Sequence, residues 1–211
     1  NLNTYNNFYF VGIGGIGMSA LARYFHAAGK NVLGYDKTET KLTTELQNEG
    51  ISISFEDVVD EKFSELNKEN TLVIYTPAIK VLGILDYFNQ NGFEVLKRAK
   101  VLGLITENTE CISVAGTHGK TTTSSLVAHL CKVANLPFSG FLGGIAENYK
   151  SNFIYNGTEI SVLEADEYDR SFLNLSPDWA IVTSIDADHL DIYGDTETIE
   201  QGFRDFADLV P

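Results

Sequence analysis

Short apolar runs alternate with amphipathic segments along most of this chain. The runs are rich in valine, isoleucine and aromatic residues, and they predict strands at 8–13, 31–35, 51–55, 71–75, 93–96, 111–115, 159–163 and 179–184. Helices are predicted where apolar residues recur three or four positions apart, at 18–25, 41–48, 86–90, 98–106, 124–135 and from 195 or 196 to 208. Strands that alternate with helices indicate an α/β fold, in which helices cover both faces of a parallel sheet.

The length of 211 residues fits two small domains better than one. The polar stretch Glu107–Glu110 separates a helix from a strand, and we place the boundary after residue 107. We therefore predict a Rossmann-like parallel-sheet domain over 1–107 and, over 108–211, the first part of an α/β domain of the P-loop type. The glycine-containing run 141–149 is interpreted as a plain connecting loop.

Charge and cysteine content narrow the classes of partner and compartment. The formal net charge of −14 argues against general binding to nucleic acid or to an anionic membrane, because both need a basic surface. We expect no signal peptide and no membrane span, and we interpret Cys111 and Cys131 as reduced core residues. A cytoplasmic protein is therefore expected. Its anionic ligands would have to be held by glycine loops, helix starts and single cations.

The second domain opens with a strand, the turn Gly116–Gly119 and a helix that begins with Lys120 and Thr121. Such a turn aims backbone N–H groups and the positive end of the helix at one point, which suits a phosphate chain. Lys120 can reach the outer phosphates, and the Thr121 hydroxyl can bind magnesium. The full G-x-x-x-x-G-K-[ST] pattern is not met, since Val114 stands where its first glycine would be. The alternative is an ordinary strand–loop–helix turn.

The first domain opens with GIGGIGM, which satisfies G-x-G-x-x-G between a strand and a helix. Its glycines permit a tight turn and the close approach of a diphosphate, and Asp36, at the end of the next strand, is placed to bind a ribose. The loop Thr76–Ile79 ends another strand and should face the same crevice. Two alternatives stay open: a glycine turn used only for packing, and the cofactor site of an NAD-dependent dehydrogenase.

Acidic residues follow two strands of the second domain. Glu164 comes first after one strand and is followed by Asp166, Glu167 and Asp169, which would repel one another without a cation. Glu164 is therefore a candidate magnesium ligand, with a solvated acidic turn as the alternative. His189 lies in the DADHLD stretch after the next strand and is a second candidate metal ligand, with a purely structural histidine as its alternative.

The combination of GIGGIGM, GTHGKTT, EADEYD and DADHLD resembles the Mur ligase family of peptidoglycan synthesis over essentially the whole chain. The resemblance implies three domains, of which this chain would hold the first and about half of the second, while the third would be absent. It implies that Gly116, Thr117, His118, Gly119, Lys120, Thr121 and Thr122 hold the phosphates of ATP. It implies that Thr121 and Glu164 bind one Mg²⁺ and His189 a second, so that Lys120, Glu164 and His189 are the catalytic residues.

The resemblance also implies a UDP-sugar site in the first domain. Its residues would be Gly12, Gly14, Gly15, Gly17, Met18, Asp36, Thr76, Pro77, Ala78 and Ile79, with His118 facing the sugar acid. GIGGIGM narrows the resemblance to members that join L-alanine to UDP-N-acetylmuramate through an acyl phosphate, with UDP-N-acetylmuramate, ATP and L-alanine as substrates. Two alternatives remain: the member that reattaches recycled peptide, and a nucleotide-binding module without activity. The oligomeric state is not indicated.

Overall fold

The structure is a computed structural model that describes residues 2–59, 63, 65–79, 82–186 and 196–211. Contacts divide the chain into two compact units, Asn1–Val101 and Leu102–Pro211. Each unit is a five-stranded sheet flanked by helices. The predicted α/β class with a parallel sheet is confirmed.

The first unit holds a fully parallel sheet in the order β3-β2-β1-β4-β5. Its elements are β1 (Asn7–Val11), α1 (Ile16–Ala27), β2 (Asn31–Tyr35), α2 (Lys41–Asn48), β3 (Ser52–Ser54), β4 (Thr71–Tyr75), α3 (Gly83–Gln90), β5 (Glu94–Lys97) and α4 (Arg98–Thr106), the last of which continues into the second unit. The central strands β1 and β4 are almost fully buried, as expected for continuous apolar runs covered on both faces. Because all five strands run the same way, the turns after β1, β2, β4 and β5 lie at one edge of the sheet.

Local signals account for the helix ends of the first unit. Thr40 and Thr43 form a reciprocal capping box at the start of α2, with the Thr40 hydroxyl accepting the Thr43 N–H at 3.2 Å. Gly29, just after α1, has φ +75°, a conformation that ends helices and favours glycine. Behind the sheet, the rings of Phe8 and Phe25 stack with centroids 3.8 Å apart and hold α1 against β1.

The second unit has the strand order β10-β6-β9-β7-β8, parallel except for the β7–β8 pair. Its elements are β6 (Glu110–Ala115), α5 (Lys120–Val133), β7 (Phe138–Ala146), β8 (Ser151–Tyr155), β9 (Ile160–Glu164), a 3-10 segment (Tyr168–Asn174), β10 (Trp179–Val182) and α6 (Thr196–Ala207). The cysteines of β6 and α5 are buried and free, as predicted. Asp195, the alternative predicted start of α6, lies outside the described residues.

One expectation about the second unit needs correction. The run 141–149 is not a plain loop, because residues 141–146 continue strand β7, which pairs with β9 on one side and with the unpredicted β8 on the other. A register shift between Phe141 and Ala146 accommodates the glycines. The helix predicted at 124–135 is present as α5, and its Val127 packs against the core cluster that contains Ala128 and Cys131. Leu126, Leu130 and Val133 are 57%, 59% and 71% exposed, whereas Ala128 and Cys131 are buried.

Candidate functional site

The glycine turn of the first unit lies against the loop that follows β4. Gly12 has φ +87°, and a Cβ there would lie 2.7 Å from Ile79 Cδ1 and 3.2 Å from Thr76 Cγ2. Its N–H donates to the Tyr35 carbonyl at 2.7 Å, which fixes the turn to the end of β2. The conformation of Gly12 therefore favours glycine, and a larger residue there would also displace the end of the Ile79 side chain. The sequence prediction that residues 76–79 share a crevice with this turn agrees with these contacts.

Asp36 closes the same turn. One carboxylate oxygen accepts the Gly14 N–H at 2.7 Å, and the other accepts the Thr38 N–H at 3.1 Å. A Cβ at Gly14 would lie 2.8 Å from that first oxygen, so glycine permits the close approach. One N–H group that sequence reasoning assigned to a diphosphate thus already has an acceptor within the protein. The ribose-binding role of Asp36 stays a prediction.

Arg98, the first residue of α4, was missed by the sequence reasoning. Its guanidinium lies against Gly17 in the first turn of α1, where a Cβ would meet Arg98 Nη1 at 2.6 Å and Cζ at 3.2 Å. Among the described residues, no acid or carbonyl pairs with this guanidinium. Its place directly after β5, at the edge where ligands of parallel sheets bind, was a usable signal. Met18, the next residue of the motif, is buried at 2% exposure.

The turn between β6 and α5 has the predicted strand–glycine–helix form. Gly116 has φ +132°, and Gly119 has φ +81° and caps the helix that begins at Lys120. Residues 117–122 line an open pocket of about 260 Å³. Backbone N–H groups at a helix start, together with one lysine, make this pocket suitable for a phosphate chain.

Residues after β10 hold the turn Gly116–Gly119 in place, and the sequence did not indicate this role for any of them. This turn, together with the helix start at 120–122, is called the phosphate loop below. The Thr183 hydroxyl lies within hydrogen-bonding distance of the Ala115 and His118 carbonyl oxygens, at 3.1 and 2.5 Å. The Ser184 hydroxyl lies 2.9 Å from that of Thr117. These contacts join positions 65 to 68 residues apart in sequence.

Two further contacts complete this attachment. The Ser184 hydroxyl accepts the His118 N–H at 3.1 Å, and the Thr117 hydroxyl accepts the Asp186 N–H at 3.1 Å. The His118 ring is 65% exposed at its side chain, with Nε2 3.7 Å from Asp186 Oδ2. The loop is therefore fixed through its backbone and the Thr117 hydroxyl, while the His118 ring faces solvent.

Lys120 forms a buried ion pair that sequence reasoning did not anticipate. Its Nζ donates to the Gly116 carbonyl at 2.6 Å and to Glu167 Oε1 at 2.8 Å. The Glu167 side chain is 3% exposed and that of Lys120 is 18% exposed. Charge-assisted hydrogen bonds of this length between poorly solvated groups are strong and hold the lysine in one place.

Glu164, the last residue of β9, lies beside Lys120 and Thr121. Burial raises the pKa of its carboxyl, while hydrogen bonding from the Thr121 hydroxyl and the Lys120 charge act in the opposite direction. Its Oε1 is buried without a hydrogen-bond partner among the described residues. A Cβ at Gly143 would lie 1.8 Å from its Oε2, so only glycine leaves room for this carboxylate. An orphaned buried carboxylate oxygen fits a cation ligand.

Models of known protein families match both parts of the chain that contain a glycine turn. Residues 7–109 match the Mur ligase family, catalytic domain, and residues 114–211 match the Mur ligase middle domain. This chain belongs to the Mur ligase family.

Relatives within the Mur ligases extend well beyond this chain. A UDP-N-acetylmuramate–L-alanine ligase of Flavobacterium psychrophilum is 56% identical over 211 residues, which are all of this chain and 47% of that protein. The protein of the same name from Parabacteroides distasonis is 51% identical over 215 residues, again with 100% of this chain and 46% of that protein. The chain thus spans about half the length of the curated relatives it matches.

Solved structures of Mur ligases share this fold. The UDP-N-acetylmuramate–alanine ligase of Thermotoga maritima has a TM-score of 0.84 and 32% identity, covering 97% of this chain and 47% of that one. The UDP-N-acetylmuramate:L-alanyl-gamma-D-glutamyl-meso-diaminopimelate ligase of Neisseria meningitides has a TM-score of 0.83 and 26% identity, covering 98% and 69%.

The remaining predicted metal ligand of this Mur ligase chain, His189, lies outside the described residues. Within the residues that the structure describes, no group of three histidine, cysteine, aspartate or glutamate side chains is placed to hold a metal ion. Thr121 and Glu164 therefore remain the candidate metal ligands whose surroundings can be described. In the same part of the chain, no helix is both long and apolar enough to cross a membrane.

Proposed function

We propose that this chain is part of a UDP-N-acetylmuramate–L-alanine ligase, an ATP-dependent enzyme that joins L-alanine to the lactyl carboxylate of UDP-N-acetylmuramate. The observation that carries the proposal is the identity of 56% along the whole chain with a relative of that name. We assign the UDP-sugar to residues 1–107 and ATP to residues 108–211. The cytoplasm, where ATP and UDP-sugars are available, is the proposed compartment.

The reaction needs a carboxylate to be activated before an amine can attack it. Transfer of the γ-phosphoryl group of ATP to the lactyl carboxylate gives an acyl phosphate and ADP. The amine of L-alanine then attacks the acyl carbon, and phosphate leaves. Phosphoryl transfer depends mainly on positioning and on neutralising charge, and the pocket formed by residues 117–122 offers backbone N–H groups and Lys120 for both.

Magnesium fits the second unit at one point. Glu164 has a buried carboxylate oxygen without a partner among the described residues, and Thr121 contributes a hydroxyl beside it. These two residues would hold Mg²⁺, which would neutralise phosphate charge during transfer. His189 is proposed for a second ion from the family resemblance alone.

The first unit supports binding of the UDP part. The turn at Gly12–Gly17, the loop at residues 76–79 and the Arg98 guanidinium meet at one edge of the sheet. A guanidinium without an acidic partner among the described residues, next to a helix start, favours an anion such as a diphosphate. The N–H groups of Gly12 and Gly14 already donate to Tyr35 and Asp36, so we propose that Arg98 and the N–H groups at the start of α1 bind the diphosphate.

The recycling ligase is the second candidate within the family. Its support is the Neisseria meningitides structure, whose TM-score of 0.83 nearly equals that of the alanine ligase. Sequence identity favours the alanine ligase, at 56% against 26%. The NAD-dependent dehydrogenase finds no support, because the second phosphate loop and the match to the Mur ligase middle domain are foreign to it.

The test is a chimera in which this chain replaces the matching segment of the Flavobacterium psychrophilum ligase. We expect ADP formation that requires both UDP-N-acetylmuramate and L-alanine. A chimera that uses a tripeptide in place of L-alanine would establish the recycling ligase instead, and ADP formation without any amine acceptor would refute both. The isolated chain is expected to show no L-alanine-dependent ATP hydrolysis.

Calorimetry on the isolated chain tests the two binding sites separately. UDP-N-acetylmuramate should bind and NADH should not. Binding of NADH but not of UDP-N-acetylmuramate would contradict the assignment of the first glycine turn and would support the dehydrogenase hypothesis.

A further inference from the structure

The two glutamates of the EADE stretch have different surroundings, which suggests different roles. Glu164 lies against Thr121 and Gly143, and one of its oxygens has no hydrogen-bond partner among the described residues. Glu167 is 2% exposed and accepts a hydrogen bond from Lys120 at 2.8 Å. The proposed reaction gives Glu164 a task as a metal ligand but leaves Glu167 without one.

The contact between Glu167 and Lys120 uses the ammonium group that a nucleotide would need. A lysine ammonium has three donors, and here one points to Glu167 and another to the Gly116 carbonyl at 2.6 Å. The phosphate pocket is lined by residues 117–122, including Lys120 itself. Only one N–H of this ammonium is left outside these two contacts, so a phosphate chain that needs more than one donor from it has to displace Glu167.

Burial makes this competition matter. An ion pair on the surface is screened by water, but the Glu167 side chain is 3% exposed and that of Lys120 only 18%. Without Glu167, the ammonium would keep only the nearby Glu164 carboxylate as an opposite charge. With it, the lysine is held in the loop, and the carboxylate opposes the arrival of further negative charge.

We propose that Glu167 is a positioning residue that holds Lys120 in the empty phosphate loop and gives up this hydrogen bond to the nucleotide phosphates. The Gly116 carbonyl keeps its contact with Nζ. The ammonium therefore exchanges Glu167 for a phosphate oxygen and stays in the same place. This inference rests on the proposed function, because it needs the loop to bind a nucleotide. It predicts that Glu167 weakens nucleotide binding, the opposite of what a phosphate- or metal-binding residue would do.

The experiment is calorimetric titration of the 211-residue chain with ATP and Mg²⁺. Glu167→Gln keeps the shape and one acceptor but removes the charge, so it should tighten ATP binding by about tenfold, since a charge-assisted hydrogen bond is about twice as strong as a neutral one. The matched control is Glu159→Gln, which removes an exposed charge at the opposite end of β9 and should leave affinity unchanged. Thermal unfolding of each variant verifies that it is folded.

A double-mutant cycle tests whether Glu167 acts through Lys120. In a Lys120→Met background, Glu167→Gln should no longer tighten binding. If Glu167→Gln unfolds the chain, Glu167→Asp takes its place in the cycle. Its shortened side chain should lose the contact with Nζ and tighten binding in the same direction.

The following results would overturn the inference. Unchanged or weaker binding by folded Glu167→Gln overturns the inference and leaves a structural or ligand-binding role for Glu167. Equal tightening in the Lys120→Met background, or in Glu159→Gln, also overturns it, because the effect would then be general electrostatics. Absence of ATP binding by the unsubstituted chain refutes the proposed nucleotide site, and this inference with it.

Discussion

The attachment of the phosphate loop to the end of β10 predicts a severe effect of Gly116→Ala. A Cβ at position 116 would lie 2.1 Å from Thr183 Oγ1, 2.9 Å from Ser184 N and 3.0 Å from Thr183 N. Two of these three atoms belong to the backbone, so rotation of a side chain cannot relieve the contact. Either the loop or the end of β10 has to move.

The structure gives the size of the effect. Alanine at φ +132° is strained by about 1–2 kcal/mol. Movement of β10 would also break hydrogen bonds from the Thr183 hydroxyl and from the Thr117 N–H to the Ser184 carbonyl. Each such bond contributes about 1 kcal/mol, so the second unit should lose about 3–5 kcal/mol in free energy of unfolding.

Gly119→Ala is the matched control in the same loop. Gly119 has φ +81°, but the nearest atom to its Cβ position is Thr183 Cβ at 3.9 Å. This variant carries the strain without the contact and should lose only about 1–2 kcal/mol. The difference between the two variants measures the contact with β10.

Urea unfolding monitored by tryptophan fluorescence is a direct assay. Trp179 is the single tryptophan of the chain and belongs to β10, so its signal reports the second unit. ATP binding by the folded fraction should also be lost in Gly116→Ala. Equal destabilisation by the two alanine substitutions would refute the reasoning, because the contact with β10 would then contribute nothing.

Three further predictions address the two ligand sites. Burial raises the pKa of the Glu164 carboxyl, so its contribution to stability is present below the unfolded pKa and is lost as pH rises through the folded pKa. Glu164→Gln should therefore stabilise the metal-free chain at neutral pH, and the gain should disappear towards about pH 4; a gain independent of pH in urea unfolding would contradict this. Arg98→Met should weaken binding of UDP-N-acetylmuramate by about tenfold or more, because a charge-assisted contact is lost. Gly17→Ala should also weaken binding, because its Cβ would displace the guanidinium. Unchanged affinity of both variants in calorimetry would show that Arg98 is not part of the site. Lys120→Ala in the chimera should lower ADP formation by about 100-fold or more while UDP-N-acetylmuramate still binds, and near-normal turnover would refute the assignment of the loop.

Features that depend on neighbours in sequence were predictable. Both glycine turns are encoded by an apolar run, glycines that adopt positive φ, and a helix-forming segment, all within about one strand, turn and helix. The contact between Gly12 and the loop at residues 76–79 followed as well, because parallel strands end at one edge of a sheet. The bounds of α2 and α4 agree with the prediction residue for residue.

Features that depend on distant pairing were not predictable by the same reasoning. The glycines at positions 143 and 144 indicate a loop locally, yet they lie in β7, between Phe141 and Ala146, which both pair with β8. Thr183 and Ser184 look like an ordinary strand end until the fold brings them to the phosphate loop 65 to 68 residues earlier. Apolar spacing in α5 marked a helix correctly but did not show which face is buried.

Among the acids after β9, burial indicates which carboxylate is the candidate cation ligand, whereas spacing in the sequence does not. The sequence places several carboxylates close together and predicts that a cation must offset their repulsion. In the structure, Glu167 is neutralised by Lys120, and Asp166 is exposed to water. Glu164 keeps a buried oxygen without a hydrogen-bond partner among the described residues, and, unlike Glu167, it forms no salt bridge with a lysine or arginine there. Among these three acids, the need for a cation therefore narrows to Glu164, and this is the reason to place Mg²⁺ at Glu164 and Thr121.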